Sequence, residues 1–508
     1  MKKRTKILIV VIALIIAASL LGAAIAVVFI KKGNAGDGQE NRQLVTFSNT
    51  FSGKVGQSFE ILGKVKRNIP QIQNEGKNER YPTYGTSLAN ITDEEKDNII
   101  SEDTMLRASE TTYDSMDSEG NLYLGGVATG KKLYKHTSSV GMYYGDVSDT
   151  EEAVVEKITI ESREMRNFIT GLYAPAGEVI KIEISSEDLS SIGGELLVSV
   201  GQVSHRNVSN NIWKERNDFS RMPNIGNKMT IKTKTAYVGN YLGGPIYVYP
   251  KTFGKKFSVT ISGAVRYPYY IHGLTTREEV EEMKNLSAPY YDFEVWDLGV
   301  RHSGPKKYAN FDYDNLFEVG NLWEKICRTS RLVPCSANAA IGVGYVYDCF
   351  VAAGAACAFQ GGHSWINAPC SWLAGALDYE SMTKNGFWGI IHEFNHLYQS
   401  YGMYETKTNE VTNNATNLLS YILYTNISAL RSEDDSTLSD WNRFTDPSRS
   451  LRETISLAES GAAQLSLNTY SDLIHAFGVD VFTKAAREQT KLGVDGWYEQ
   501  FQKQQDIT

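Results

Sequence analysis

The stretch Ile391-His392-Glu393-Phe394-Asn395-His396-Leu397-Tyr398-Gln399 constrains this chain more than any other, because its two histidines can act together only on a helix. A spacing of four puts the imidazoles one turn apart on one face, with about 6 Å between their Cβ atoms, so both reach a single tetrahedral metal. Glu393, beside the first histidine, is placed to poise a water and take its proton. The helix is supported independently of the histidines. Trp388, Ile391, Phe394 or Asn395, Tyr398 and Tyr401 recur at spacings of three and four, as on a helix packed against a core, and Ser400 and Gly402 mark its end. A short HExxH set also arises by chance, so the metal reading requires a third donor.

Glu410 supplies a candidate. It follows His396 by fourteen positions in Thr-Asn-Glu-Val-Thr-Asn-Asn, at the start of a predicted helix running to about Leu430. Val411, Asn414, Leu418, Tyr421, Ile422 and Leu430 share one face of that helix, and a glutamate in its first turn suits the positive end of the dipole. Glu405 is the competing donor, but it sits in the predicted turn after Gly402, close behind the first helix. Without the HExxH set, Glu410 would read as an ordinary N-terminal helix charge. Two histidines and one glutamate around zinc leave one coordination position open, the arrangement of a catalytic rather than a structural site.

Gly386-Phe387-Trp388-Gly389-Ile390-Ile391-His392-Glu393-Phe394-Asn395-His396, followed by Glu410-Val411-Thr412-Asn413-Asn414, resembles the signature of metallopeptidase family 60, the enhancin-like and mucin-degrading group. Upstream, Thr170 to Glu178 and Gly243 to Tyr247 resemble the β-rich part that precedes the catalytic half in that family. The similarity spans roughly residues 155 to 480. It departs from the family at Asn395 and Leu397, where many relatives carry Gly and Asn on either side of the second histidine. The resemblance implies a secreted or surface gluzincin acting on heavily glycosylated proteins. His392, His396 and Glu410 would be its zinc ligands and Glu393 its catalytic base.

The N-terminus points outward. Ile7 to Ile30 is an unbroken apolar or small run of 24 residues, about 36 Å as a helix and so long enough to cross a hydrocarbon core of about 30 Å. Lys2, Lys3, Arg4 and Lys6 precede it against Lys31 and Lys32 behind, which predicts a cytoplasmic tail at 1–6, a signal-anchor at 7–30 and an extracellular remainder on a single-pass plasma-membrane protein. The alternative is a cleaved signal peptide and a secreted enzyme, with small residues at Leu21 to Ala26 to accept cleavage. Asn90, Asn207, Asn285, Asn414 and Asn426 each open an Asn-x-Ser/Thr triplet, and Asn414, inside the second predicted helix, is expected to stay unmodified. Cys327, Cys335, Cys349, Cys357 and Cys370 cluster just before the HExxH helix, where outside the cell two disulfides could brace it.

The expected class is α+β. A stalk and N-terminal region fills 31–120, a β-sandwich accessory domain fills 121–265, and a mostly α zinc metallopeptidase domain fills 266–508. The sandwich rests on short β-type runs at Lys157 to Ile160, Val179 to Ile184, Leu196 to Val200 and Phe257 to Ile261, separated by Gly, Pro and Asn turns. The candidate helices beyond it are Thr276 to Leu286, Tyr313 to Thr329 and Arg452 to Leu465. A net charge of −8 with no basic run past the N-terminus argues against nucleic acid as a partner. His475 and Tyr470 are candidates for the oxyanion donor, and His363 and Trp365 for substrate contacts. Each also reads as a packing aromatic or a satisfied core histidine. The expected function is a zinc endopeptidase cleaving mucin-like glycoproteins, with a glycan-binding adhesin or a surface antigen with a purely structural metal as alternatives.

Overall fold

Ile180, Ile182 and Ile184 are buried while Lys181 and Glu183 between them are not, and Phe257, Val259 and Ile261 repeat the pattern. A period of two with one apolar side makes each segment a strand with one face in a core. The computed structural model describes residues 55–70, 92, 94, 112–131, 133, 135, 147–162, 166–202, 226–252, 254–296, 299–332, 342–348, 351, 354–359, 364–398 and 409–425.

The first half is built from β1 (Gln57–Val65), β2 (Ser115–Met116), β3 (Leu122–Leu124), β4 (Val127–Lys131), β5 (Ala153–Ser162), β6 (Phe168–Ala174), β7 (Ile180–Ile184), helix α1 (Ser186–Ser191), β8 (Leu196–Val200), β9 (Asn227–Ile231), β10 (Thr235–Val238), β11 (Gly244–Pro250) and β12 (Lys255–Arg266). β2 to β4 form a small three-stranded sheet. The other nine strands form one sheet in the order β1-β5-β12-β6-β11-β8-β9, with β7 and β10 branching from β12. Strand β12 is the pivot, since Val259–Ser262 pair with β7 while Val265 and Arg266 pair with β6. The register slips between Ser262 and Ala264, and Gly263 there takes φ +93°, a left-handed value that favours glycine. The bend folds the sheet over a single core that includes Ile158, Leu172, Val198 and Val259.

The second half continues with β13 (Tyr269–Ile271), α2 (Arg277–Met283), β14 (Tyr290–Val295), β15 (Val300–Pro305), α3 (Tyr313–Leu332), β16 (Val343–Asp348), β17 (Cys357–Phe359), β18 (Ser364–Pro369), α4 (Trp372–Ala376), α5 (Trp388–His396) and α6 (Asn409–Tyr424). Its strands make a mixed six-stranded sheet in the order β13-β14-β15-β16-β18-β17. One face carries Tyr291, Phe293, Tyr345, Tyr347 and Ile366 into a core shared with Trp323 of α3 and Phe394 of α5. The other face turns toward the sandwich, where Tyr290, Val346 and Trp365 join the sandwich core.

The mixed α+β class is the one observed, with three corrections to the finer expectation. The second half, expected to be mostly α, carries a six-stranded sheet beside its helices among the described residues. Its strands escaped the sequence reading because β14 and β15 are buried along their whole length, which removes the in-out alternation that marks a half-buried strand. Asp292, Glu294, Arg301 and Ser303 also break any apolar run there. The stalk assignment fails at β1, which lies within 31–120 and pairs along β5 from Gln57 to Val65. It is an edge strand with mostly exposed side chains, so its place is held by main-chain pairing that composition does not reveal. The HExxH helix is shorter than expected: it ends at His396, and bonds from Leu397 N–H to Phe394 C=O and Tyr398 N–H to Asn395 C=O tighten its last turn.

Helix α2 begins at Thr276, whose hydroxyl caps Glu279 N–H while the Glu279 carboxylate returns to Thr276 N–H. The expected helix at Arg452 to Leu465 and the apolar segment Ile7 to Ile30 lie outside the described residues. Among the described residues no helix is long and apolar enough to cross a membrane.

Candidate metal centre

Helix α5 is seated by what its neighbours offer. Ile390, Ile391 and Phe394 are buried toward the aromatic face of the sheet, where Phe394 stacks against Tyr345 at 6.1 Å between centroids. The Tyr345 hydroxyl donates to the Ile390 carbonyl at 3.1 Å, tying β16 to the helix carrying the motif. Gly389 is required by closeness, since a Cβ there would meet the indole of Trp372 at 2.6 Å. The chain enters α5 through Gly386 at φ +69°, a second position that favours glycine.

Helix α6 locks the opposite side with three asparagines. Asn413 Nδ2 donates to the His392 carbonyl at 2.8 Å and Asn417 Nδ2 to the Trp388 carbonyl at 3.1 Å. Asn414 Oδ1 receives Trp388 Nε1–H at 3.2 Å and faces His392 Nδ1 at 2.7 Å. An indole N–H can only donate, so the Asn414 atom it meets is the amide oxygen, and His392 Nδ1 must then carry its proton. His392 Nε2 is then the unprotonated ring nitrogen. A hydrogen bond from the remote ring nitrogen is the usual way a metal-binding histidine is held and tuned.

His392 Nε2 points at His396 Nε2, 3.0 Å away, with the two rings nearly perpendicular at 89°. Two Zn–N bonds of about 2.05 Å at the tetrahedral angle would hold their nitrogens about 3.3 Å apart. The imidazoles therefore already converge as a metal would require, and the donor set fits zinc. Glu393, between them in sequence, is largely buried at 9% exposure. Tyr345 beneath it is held well above the ordinary phenol range, mainly by burial, with the Glu393 charge a smaller contribution.

Glu410 is described only by its place on α6. It lies in the first turn, three residues before Asn413 and four before Asn414 in the sequence. Among the described side chains no group of three His, Cys, Asp or Glu donors is assembled. Glu405, His363, Tyr470 and His475 lie outside the described residues. Trp365 is placed elsewhere than at a wall of the metal cleft. Its indole stacks on Phe359 at 4.4 Å and packs toward the sandwich, on the sheet face turned away from α5. Strict alternation along β18 decides this, because Ile366 and Ala368 take the other face. Cys327 and Cys370 are buried and Cys357 partly so, whereas Cys335 and Cys349 lie outside the described residues. Of the sequons, Asn285 is exposed just after α2, and Asn414 is engaged at the site.

The asparagines of α6 are what sequence reasoning missed. Their signal was available: asparagine is a poor helix former, yet Asn413, Asn414 and Asn417 fall within five positions of one helix. Residues that weaken a helix locally and are still buried usually have a polar partner across the interface.

A pair of packed helices, two converging imidazoles and a buried glutamate beside the first form the arrangement expected of an HExxH motif. The chain belongs to peptidase family M60, enhancin and enhancin-like, whose model matches residues 263–506, while the N-terminal domain of M60-like peptidases matches residues 149–262. It is 28% identical over 322 residues to antigenic protein NP1 of Entamoeba histolytica, covering 59% of this chain and 47% of that protein. It is 29% identical over 347 residues to antigenic protein P1 of the same organism, covering 64% of this chain and 29% of that one. The chain thus spans about half the length, or less, of these curated relatives. A solved structure of the IMPa metallopeptidase in complex with T-antigen shares the fold with a TM-score of 0.51 at 13% identity, over 72% of this chain and 46% of that one. IMPa comes from Pseudomonas aeruginosa.

Proposed function

We propose that this chain is a zinc-dependent endopeptidase that hydrolyses peptide bonds in mucin-like or otherwise heavily glycosylated proteins, held at the cell surface by its N-terminal apolar segment. The observation carrying the reading is the convergence of His392 and His396 Nε2 at 3.0 Å, with His392 Nδ1 committed to Asn414. His392, His396 and Glu410 would hold the metal, which when bound supplies Lewis acidity at the scissile carbonyl. Glu393 takes the proton of the attacking water and delivers it to the leaving amine. The glycoprotein substrate class draws support from the family and from IMPa, which has been solved with an O-glycopeptide and with T-antigen. The surface address draws on the apolar run and its flanking lysines.

A second reading, a surface antigen that keeps the metal without turnover, draws on the names of the Entamoeba relatives. One experiment separates the two: metal content of the full chain and cleavage of a mucin, comparing wild type with Glu393→Gln. One zinc in each protein, with cleavage reduced about 10³-fold or more in the variant, is the expected result. Zinc in both with no cleavage of mucin by wild type would favour the antigen, and absence of zinc from both would overturn the metal centre. Surface labelling of intact cells tests the address, and protein protected from the label would overturn it.

A further inference from the structure

Gly389, His392, Glu393 and His396 stand at spacings of three and four on α5, so the glycine shares the helix face that carries the metal motif, one turn before Glu393. That place is already filled. A Cβ on Gly389 would lie 2.6 Å from Cη2 and 2.8 Å from Cζ3 of Trp372, so the six-membered ring of the indole takes the space a side chain at 389 would need. Helix α4 and the entrance to α5 hold it there. Phe387 meets the indole edge-on at 87° with 5.6 Å between centroids, and its own ring lies over Gly375 of α4, where a Cβ would come within 2.5 Å of it. Two aromatic–glycine contacts, one in each direction, thus fix the indole beside the motif.

A tryptophan placed only for packing spends its N–H inside the protein. Trp296 donates to Gln57 Oε1 at 3.1 Å, Trp323 to the Ala376 carbonyl at 2.9 Å and Trp388 to Asn414 Oδ1 at 3.2 Å. Trp372 differs. It is only partly buried, its N–H donates to none of the described residues, and the nitrogen is not among the enclosed polar atoms that lack a partner. Such an indole offers an apolar ring and a donor on its rim together. Glu393 is one turn away along α5, about 6 Å, and His396 about 10 Å. An extended substrate advances about 3.3 Å per residue, so the indole stands within about three residues of a bond held at the metal.

We infer that Trp372 contacts the substrate and sets part of its specificity, taking a flat apolar group that carries a hydrogen-bond acceptor at its edge, close to the scissile bond. The inference rests on the peptidase reading of His392, Glu393 and His396. Two parts of a glycoprotein have that chemistry: a pyranose ring, with a C–H face and oxygens around it, and an apolar side chain with its neighbouring peptide carbonyl.

The test compares the full chain as wild type, Trp372→Ala and Trp372→Phe on intact mucin and on the same mucin stripped of its glycans. Trp372→Ala should lower kcat/KM about tenfold or more, through a raised KM, with zinc content unchanged. Trp372→Phe keeps a ring against Gly389 and should recover most of the loss, which guards against a folding defect in the alanine variant. Binding of mucin to Glu393→Gln, with and without Trp372→Ala, reads the same contact without turnover and should weaken about tenfold when the indole is removed. A defect confined to intact mucin assigns the indole to a sugar ring, and an equal defect on stripped mucin assigns it to an apolar side chain. Equal KM and equal binding with and without the indole would overturn the inference, as would a loss that falls on kcat together with zinc content, the mark of a structural role. If wild type cleaves neither mucin, the peptidase reading fails and the binding comparison decides alone; no binding by Glu393→Gln then overturns the inference as well.

Discussion

The two faces of the six-stranded sheet solve opposite problems. Toward the helices the face is aromatic and without net charge: His302 lies between Trp323 at 4.4 Å and Tyr345 at 4.3 Å, with its Nδ1 against the Tyr347 hydroxyl at 2.8 Å. Burial pushes His302 down to about 3, so it is neutral there. Toward the sandwich the same strands present Asp292, Glu294, Arg301 and Ser303, all buried and held by ion pairs and hydrogen bonds. Dispersion and close packing fix where α5 stands on the first face, whereas on the second the two halves are joined by charges that are affordable only while paired. A metal centre needs its donors held to within a fraction of an ångström, and the rigid aromatic side is where the histidines are found.

Four variants would break or sharpen that contrast. On the aromatic face Trp323→Ala removes a wholly buried indole and should cost about 3–5 kcal/mol in denaturant unfolding; a loss below about 1 kcal/mol would mean this side is loosely packed. On the charged face Glu294→Gln removes the carboxylate charge that faces Arg166 at 3.0 Å and should cost about 3–4 kcal/mol. The double variant Arg166→Met with Glu294→Leu should recover most of that loss. Equal costs for single and double variants would show that the residues matter as volume and not as charge. Asn414→Ala should leave the fold intact while lowering zinc affinity about 10–100-fold, roughly 1.4–2.8 kcal/mol, measured by competition with a chelator. Unchanged affinity would remove Asn414 from the support of His392.

The smallest effect is in the pH profile. His302 is held at about 3, below its unfolded value of 6.5, so the unfolded chain binds the extra proton between those limits and stability rises with pH across that window. Glu156 in the sandwich is raised by burial from 4.5 to about 7, and the sign reverses: its contribution is present below 4.5 and is lost as pH climbs to 7. Each slope is about 1.4 kcal/mol per pH unit at most, so from 4.5 to 6.5 they oppose each other. In wild type this pair should contribute little net slope there. His302→Phe should expose the falling contribution of Glu156, and Glu156→Gln the rising one of His302. Variants whose unfolding free energies keep the wild-type pH dependence would show that neither group titrates as its burial demands.

Much of the helical part was legible. Thr276 to Leu286 and Tyr313 to Thr329 were expected as helices and are found as α2 and α3, because capping and the 3.6 period are local properties. The sheet between them was not legible. A strand buried on both faces, with charges answered by another domain, lacks the period by which a strand is recognised, as Tyr290–Val295 and Val300–Pro305 show. Strand β1 failed for the complementary reason, being an edge that buries little and pairs through its main chain.

His392, Glu393 and His396 could be read from the chain alone, since a spacing of four on an amphipathic helix sets which side chains meet regardless of what surrounds them. The alternation of the sandwich strands was equally local. What holds His392 in its metal-ready tautomer was decided only by tertiary structure, because Asn414 stands 22 positions away and meets the ring only once α6 packs on α5. So were the face taken by Trp365 and the seating of Arg301, whose guanidinium reaches Asn167, 134 positions earlier, as well as Ser303 on its own strand. Backbone period carries information over a few residues, whereas hydrogen-bond partners and clefts depend on which distant surfaces come together.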